Sequence, residues 1–192
     1  MADKIKTYST DDIDVNYSLK RCIHAEECVR GLQAVFDPKK RPWIQPDQGT
    51  ADQIAEVIVR CPSGALHFER NDGSDAEATP DENTIRLSEN GPLYVRGNIT
   101  ILTSDGEILL QDTRVALCRC GSSLNKPFCD NRHKDIDFRA TATVKEPKTV
   151  EGTATGEITL QPTANGPIHL KGNFTILNQK SPIWTRISSN RW

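Results

Sequence analysis

The chain has 192 residues and a formal net charge of −2 at pH 7. This balance gives no broad positive surface of the kind that binds nucleic acid or an anionic membrane, so we expect neither as a partner. The length is sufficient for two small domains, each with a modest hydrophobic core. The sequence has no apolar stretch of about twenty residues and no apolar region near its start, which predicts a cytoplasmic protein without a membrane span or a secretory signal.

Four secondary-structure elements are predicted in the first 70 residues. Residues 1 to about 18 are polar and begin with the alternating sequence KIKTYS, which indicates a strand. A short helix is expected over residues 25–36. A second helix is expected in QGTADQIAEVIVRC, because apolar side chains recur at positions 54, 57 and 58, and this helix would end near Cys61. LHFER at 66–70 should then pair as a strand.

Cys22, Cys28 and Cys61 form the first group of cysteines, with the pattern Cx5C…CP. Bacterial-type sequences that bind [4Fe-4S] clusters take three ligands from a CxxCxxC run, and a remote CP supplies a further one. Ala25 occupies the place of the middle cysteine, so three thiolates remain. Three thiolates suit a [3Fe-4S] cluster. A [4Fe-4S] cluster would need a non-cysteine ligand, for which His24 or water is the candidate.

Residues 19–70 resemble the divergent mono-cluster ferredoxin family. The resemblance rests on the cysteine pattern together with GLQAVFD, RPWI and CPSGAL. It implies a small ferredoxin-like α/β domain with one cluster, which that family is described as binding in the [4Fe-4S] form. His24 stands next to the vacant ligand position, so its side chain is either a ligand or a solvent-facing neighbour of the cluster.

The stretch NDGSDAEATPDEN at 71–83 is acidic, contains Gly and Pro, and lacks aromatic residues. These properties are typical of a linker. We therefore predict an N-terminal domain at 1–70 and a second domain at 84–192.

A second group of donors lies in CRCGSSLNKPFCDNRH, from Cys118 to His133. Cys118 and Cys120 are separated by one residue, so both thiolates can reach a single iron. Cys129 and His133 are four residues apart, which places them on one face of a helical turn, where they can bind a second iron. The pattern predicts a [2Fe-2S] cluster, while a structural zinc site with the same donors and a disulfide remain the alternatives.

The same segment resembles the CDGSH iron-sulfur family, whose pattern is CxCx2(S/T)x3PxCDGx2H. The matching residues are Cys118, Cys120, Ser123, Pro127, Cys129, Asp130 and His133. The resemblance implies that the three cysteines and His133 are the cluster ligands, that Ser123 and Asp130 support them through hydrogen bonds or the turn, and that the domain is β-rich with a β-cap. Asn131 replaces the glycine of the pattern, and we expect the turn to survive because Asn tolerates a left-handed backbone.

The second domain also contains an internal repeat, because NGPLYVRGNITIL at 90–102 recurs as NGPIHLKGNFTIL at 165–177. We interpret it as a duplicated β-cap whose degenerate copy, at 158–192, has no cysteine. The two copies are expected to pair within one chain, which would make a homodimer less necessary; both a monomer and a homodimer remain open.

These features together predict an α+β protein, with a small ferredoxin-like domain followed by a β-rich CDGSH domain. Its predicted function is one-electron transfer between a reductase and an acceptor. The alternatives are a pH- or redox-labile cluster donor or sensor, and a structural zinc-binding interaction module. We expect no enzyme activity, since no nucleophile-base set, phosphate loop or nicotinamide motif is present. The sequence also contains a basic rim, which is either an ordinary solvated surface or a docking face that steers an acidic redox protein partner. The rim comprises Arg119, Lys126, Arg132 and Lys134.

Overall fold

A computed structural model describes residues 3–143, 153–164, 166–177 and, for the backbone, 185–189. The fold is α+β, with mostly strands and a few short helices. The chain divides into two compact units, Met1–Ala78 and Thr79–Trp192. The division lies inside the acidic stretch at 71–83. Within the described ranges, no helix combines the length and the apolar character needed to cross a membrane.

The first unit is a three-stranded antiparallel sheet in the order β1-β2-β3, packed against short helices. Its elements are β1 (Ile5–Ser9), β2 (Ile13–Ser18), α1 (Glu27–Gly31), a 3-10 turn (Pro46–Gln48), α2 (Ala51–Ile58) and β3 (Leu66–Arg70). The strands predicted at the start of the chain and at LHFER are therefore present. The sequence prediction did not separate β2 from β1, because the two-strand hairpin lies within one polar segment.

Helix α2 begins at a capping box and ends just before Cys61. The Thr50 hydroxyl accepts a hydrogen bond from the Gln53 amide, and the Gln53 side chain accepts one from the Thr50 amide. Its apolar face, formed by Ile54, Val57 and Ile58, is buried. This is the helix that the apolar spacing predicted.

The helix predicted at 25–36 is wrong in its length, because α1 covers only Glu27–Gly31. Glu26, directly before the helix, has a φ of 62°. This left-handed conformation prevents a right-handed helix from including Glu26 and the residues before it. After α1, the fully buried Phe36 forms a bridge with Ile44. Burial of Phe36 thus draws the chain into extended pairing instead of a longer helix.

The second unit is a six-stranded sheet with one short helix in the described residues. Its elements are β4 (Thr84–Leu87), β5 (Leu93–Leu102), β6 (Ile108–Leu117), α3 (Arg132–Asp135), β7 (Glu157–Pro162), β8 (Ile168–Leu177) and β9 (Thr185–Ser189). Its core contains the buried side chains of Ile99, Ile101, Ile158, Leu160 and Phe174.

The two repeat copies form the long strands β5 and β8, which belong to two hairpins that pair reciprocally. Strand β4 forms a hairpin with β5, and β7 forms one with β8. Each short strand also runs parallel to the long strand of the other hairpin, with Ile85 opposite Ile176 and Leu160 opposite Ile101. Ile85 and Leu160 are 75 residues apart, as are Ile101 and Ile176, so the cross-pairing is reciprocal. In the degenerate copy at 158–192, residues 165, 178–184 and 190–192 lie outside the described part of the chain.

The buried Asn83 joins the two hairpins. Its side-chain amide donates to the carbonyl oxygens of Gly156 (2.8 Å) and Asn173 (2.9 Å), and its Oδ1 accepts from the Asn98 amide (2.9 Å). Gly97 has a φ of 144°, and a Cβ there would lie 2.0 Å from Asn83 Oδ1. Only glycine allows this close approach.

Replacing Gly97 with alanine is expected to lower the free energy of unfolding of the second unit by about 3 kcal/mol, because backbone strain adds to the displacement of Asn83. Urea unfolding of the purified protein measures the loss. Gly106→Ala is the matched control, since Gly106 has a φ of 90° but a Cβ at this residue would meet no atom within 4 Å. The control should lose only about 1–2 kcal/mol, and equal losses for the two variants would contradict the role of Asn83.

Candidate metal centres

The downstream site contains the predicted donors Cys118, Cys120, Cys129 and His133. It lies where the chain folds back at the end of β6. The Cys118 amide donates to the Pro127 carbonyl (2.8 Å), and the Cys129 amide donates to the Ala116 carbonyl (2.8 Å). Between these bonds, Leu117 and Phe128 form an antiparallel bridge. The two cysteines, eleven positions apart in sequence, are therefore brought to neighbouring places.

The four predicted donors form two close pairs. Cys118 Sγ lies 3.8 Å from Cys120 Sγ, and Cys129 Sγ lies 3.5 Å from His133 Nδ1. Two thiolates bound at about 2.3 Å to one tetrahedral metal are about 3.8 Å apart, and a thiolate and an imidazole nitrogen on such a metal are about 3.5 Å apart. Each pair therefore has the spacing of two ligands on one metal.

Among the described residues, no group of three or more His, Cys, Asp or Glu side chains has the geometry to hold one metal ion. The two donor pairs nevertheless share one site. Burial, followed by the nearby Cys118, Asp130 and Cys120, raises the pKa of Cys129. Burial likewise raises the pKa of Cys120. The metal-free thiols of Cys120 and Cys129 thus keep their protons at neutral pH, and metal binding must displace them.

The short helix α3 carries His133, and Asn131 precedes it with a φ of 71°. Asn131 therefore adopts the left-handed conformation that the family pattern assigns to glycine. The backbone N–H of Asn131 donates a hydrogen bond to Cys129 Sγ, with the nitrogen 3.4 Å from the sulfur. Burial, and then the charge of Lys134, lowers the pKa of His133, which favours the neutral imidazole that a metal requires.

Ser123 and Asp130 hold the backbone of the loop. The buried Ser123 hydroxyl donates to the Phe128 carbonyl (2.7 Å) and accepts from the Asn125 amide (3.0 Å). The Asp130 carboxylate accepts from the amides of Leu124 (2.8 Å) and Arg132 (3.2 Å). Burial alone would raise the pKa of Asp130, but these hydrogen bonds outweigh it and lower the pKa.

The predicted basic rim contains two kinds of cation. Arg119 is half-buried, and its guanidinium donates to the carbonyl oxygens of Ser88 (3.0 Å) and Thr141 (2.5 Å) and lies over the Phe138 ring. It thereby ties the segment after α3 to the turn between β4 and β5. Lys126, Arg132 and Lys134 are exposed, and the Arg132 guanidinium lies 3.8 Å from the Asp130 carboxylate.

The second centre, the upstream site, is a cavity of about 250 Å³ in the first unit. A cavity that holds a single water molecule needs a volume of only about 10–15 Å³, so this cavity is large enough for a polyatomic group. Cys22, Cys28 and Cys61 all line it. Burial, and then Cys61 and Cys22, raises the pKa of Cys28 to about 11. The structure therefore brings together three thiols that the sequence separates by up to 39 positions.

His24 and Ala25 line the same cavity. His24 and Glu26 both have left-handed backbones, with φ values of 51° and 62°. These two residues flank Ala25 and curve the loop around the cavity between Cys22 and Cys28. His24 therefore lines the upstream site at a position that is exposed to solvent.

Sequence reasoning missed two hydroxyl groups at the upstream site. The buried Tyr17 lines the cavity together with Cys22, and its ring packs edge-on against Trp43 with the centroids 5.0 Å apart. Burial, and then the nearby Cys22, raises the pKa of Tyr17. Ser63 Oγ lies 3.7 Å from Cys61 Sγ. The CPS motif is a weak signal for Ser63. No sequence motif marks Tyr17, because a tyrosine on a half-buried strand usually packs into the hydrophobic core.

Two family models match the chain in the order of the two units. The model described as "Divergent 4Fe-4S mono-cluster" matches residues 8–71, and the model described as "Iron-binding zinc finger CDGSH type" matches residues 90–134. The first match contains all three cysteines of the upstream site, and the second contains all four donors of the downstream site.

The first unit is also similar to a curated bacterial protein. The uncharacterized protein YjdI of Escherichia coli strain K12 is 40% identical over 63 residues, which cover 33% of this chain and 83% of YjdI. YjdI of E. coli O157:H7 matches to the same extent. The chain therefore belongs to the divergent 4Fe-4S mono-cluster family through its first unit, and it carries a CDGSH-type iron-binding domain in its second.

Proposed function

We propose that the protein is a one-electron carrier with two iron-sulfur clusters. Cys118, Cys120, Cys129 and His133 would bind a [2Fe-2S] cluster, and the upstream cysteines would bind the second. The observation that carries this proposal is the spacing of the downstream donors, at 3.8 Å and 3.5 Å, as two pairs that each suit one metal. A cluster of this type, when bound, accepts and returns one electron.

The residues around the downstream site would adjust its potential in two ways. His133 is neutral where a fourth thiolate would be anionic, so less negative charge opposes reduction. The Asn131 amide donates to Cys129 Sγ, which further stabilises negative charge on that sulfur. We therefore expect a potential above the roughly −400 mV of plant-type, all-cysteine sites.

For the upstream site, the position of His24 supports a [4Fe-4S] cluster completed by that side chain. His24 lines the cavity together with Cys22, Cys28 and Cys61, so it is the histidine available to them. The matching family is described as a 4Fe-4S family. A [3Fe-4S] cluster held by the three cysteines alone is the alternative.

A second function, release or transfer of the [2Fe-2S] cluster, is favoured by the position of His133. Its side chain is only half-buried and sits on a helix of four residues, so protons can compete with the metal for the imidazole. A cluster donor or a pH sensor would use this loss of the cluster at low pH. An electron carrier would instead operate above the pH at which the loss begins.

We further propose a cytoplasmic monomer that docks a redox protein. All six cysteines are free thiols, which fits a reducing compartment. The reciprocal pairing of the two hairpins within one chain supports a monomer. The exposed Lys126, Arg132 and Lys134 would steer an acidic partner to the downstream site, and neither nucleic acid nor a membrane is proposed as a partner.

The proposal is tested by anaerobic purification, analysis of iron, zinc and sulfide, and a redox titration followed by EPR. We expect five or six irons per chain if the upstream cluster has three or four, and reversible one-electron reduction of both clusters. Zinc without sulfide would contradict the proposal and leave a structural interaction module.

His133→Cys is expected to lower the potential of the [2Fe-2S] cluster by on the order of 100 mV, because a thiolate adds negative charge. It should also let the cluster survive at lower pH, since no imidazole remains to be protonated as the pH falls. Absorbance decay across a pH series and the EPR titration measure both effects. His169→Cys adds a thiol elsewhere in the second unit and should change neither. An unchanged potential in His133→Cys would exclude His133 as a ligand.

His24→Ala and Ala25→Cys distinguish the two upstream clusters. If His24 completes a four-iron cluster, His24→Ala should leave a three-iron cluster with an EPR signal in the oxidised state. Ala25→Cys should restore four irons in the His24→Ala background, because it supplies the missing thiolate. A wild-type protein that already shows the oxidised three-iron signal would contradict the role of His24.

A further inference from the structure

Two of the three thiols in the upstream cavity have a hydroxyl group beside the sulfur. Tyr17, 9% exposed, lines the same cavity wall as Cys22 and is close enough for Cys22 to raise its pKa. Ser63, 3% exposed, has its Oγ 3.7 Å from Cys61 Sγ. Neither hydroxyl belongs to a proposed ligand.

Both hydroxyls are held in place by independent contacts. Tyr17 lies on the central strand β2, between Lys6 on β1 and Leu66 on β3, and its ring packs against Trp43. Ser63 is fixed through its backbone, because the buried Arg21 guanidinium donates to its carbonyl oxygen at 2.8 Å. Ser63 Oγ is therefore held within hydrogen-bonding distance of Cys61 Sγ, and the Tyr17 ring is held in the cavity wall that it shares with Cys22.

Metal binding fixes the direction of these hydrogen bonds. In the free protein either the thiol or the hydroxyl can donate. A ligating sulfur is a thiolate without a proton, so the hydroxyl must then be the donor. An O–H dipole directed at the sulfur stabilises negative charge there, and its effect is strengthened in a buried site.

We propose that the Tyr17 and Ser63 hydroxyls donate hydrogen bonds to the ligating sulfurs of Cys22 and Cys61 and raise the reduction potential of the upstream cluster. This inference rests on the proposed function, because it requires a cluster at that site. Reduction adds negative charge to the cluster and its ligands, so donors to the sulfurs favour the reduced state. The two hydroxyls act through different sulfurs, and their effects on the potential should add.

The test compares Tyr17→Phe, Ser63→Ala and the double variant with the wild-type holoprotein. Tyr17→Phe keeps the ring that packs against Trp43, so the variant should fold. Tyr8→Phe is the matched control, because Tyr8 is equally buried in the same core but lies outside the cavity wall. Iron and sulfide contents are measured first, and the potential is then obtained by EPR-monitored titration, with the [2Fe-2S] signal as an internal reference.

Each single variant is expected to lower the potential of the upstream cluster, and the double variant to lower it by about the sum of the two shifts. Tyr8→Phe and the [2Fe-2S] potential should not change. In resonance Raman spectra, transfer to D2O should shift the Fe–S bands of the upstream cluster more in the wild type than in the double variant.

The outcomes separate the two proposals. A wild-type protein without iron and sulfide at the upstream site overturns the proposed function there. A fully loaded double variant with the wild-type potential overturns the role of the hydroxyls and leaves the cluster assignment intact. If Tyr8→Phe changes the potential of the upstream cluster as much as Tyr17→Phe does, the role of the hydroxyls is overturned as well. If only one of Tyr17→Phe and Ser63→Ala changes the potential, the role of the other hydroxyl is overturned.

Discussion

The downstream site depends on two backbone hydrogen bonds at the end of β6, from Cys118 to Pro127 and from Cys129 to Ala116. They align the returning segment with the strand and set the separation of the two donor pairs. Ser123 and Asp130 then hold the intervening loop through its amides and a carbonyl. The positions of the predicted donors thus depend on backbone hydrogen bonds, and the side chains proposed as ligands are not required to hold the loop together.

The upstream site is organised differently, since its three cysteines come from three separate places. Cys22 follows β2, Cys28 lies in α1, and Cys61 follows α2. All three pack against the apolar core that the sheet and helices enclose. The relative positions of the thiols therefore depend on the core, and damage to that core should disturb this site more than a change in the local loop.

The hairpin repeat gives the second unit a sheet without a second chain. Each hairpin supplies a short strand to the long strand of the other, and Asn83 bonds to both. Burial of Ile101, Leu160 and Phe174 between the copies stabilises the arrangement through the hydrophobic effect. One copy leads into the metal-binding loop, while the described part of the other serves the sheet.

Local spacing along the chain was enough to predict the CxC pair, the Cys129–His133 pair, helix α2 with its apolar face, and the repeat that sets the strand register. These features follow from neighbouring residues and from the periods of helices and strands. Only the three-dimensional fold shows that α1 is short, that His24 lines the cavity, and that Tyr17 and Ser63 lie near two of the thiols. Those outcomes depend on burial and on contacts between residues that are far apart in sequence, and no local pattern records them.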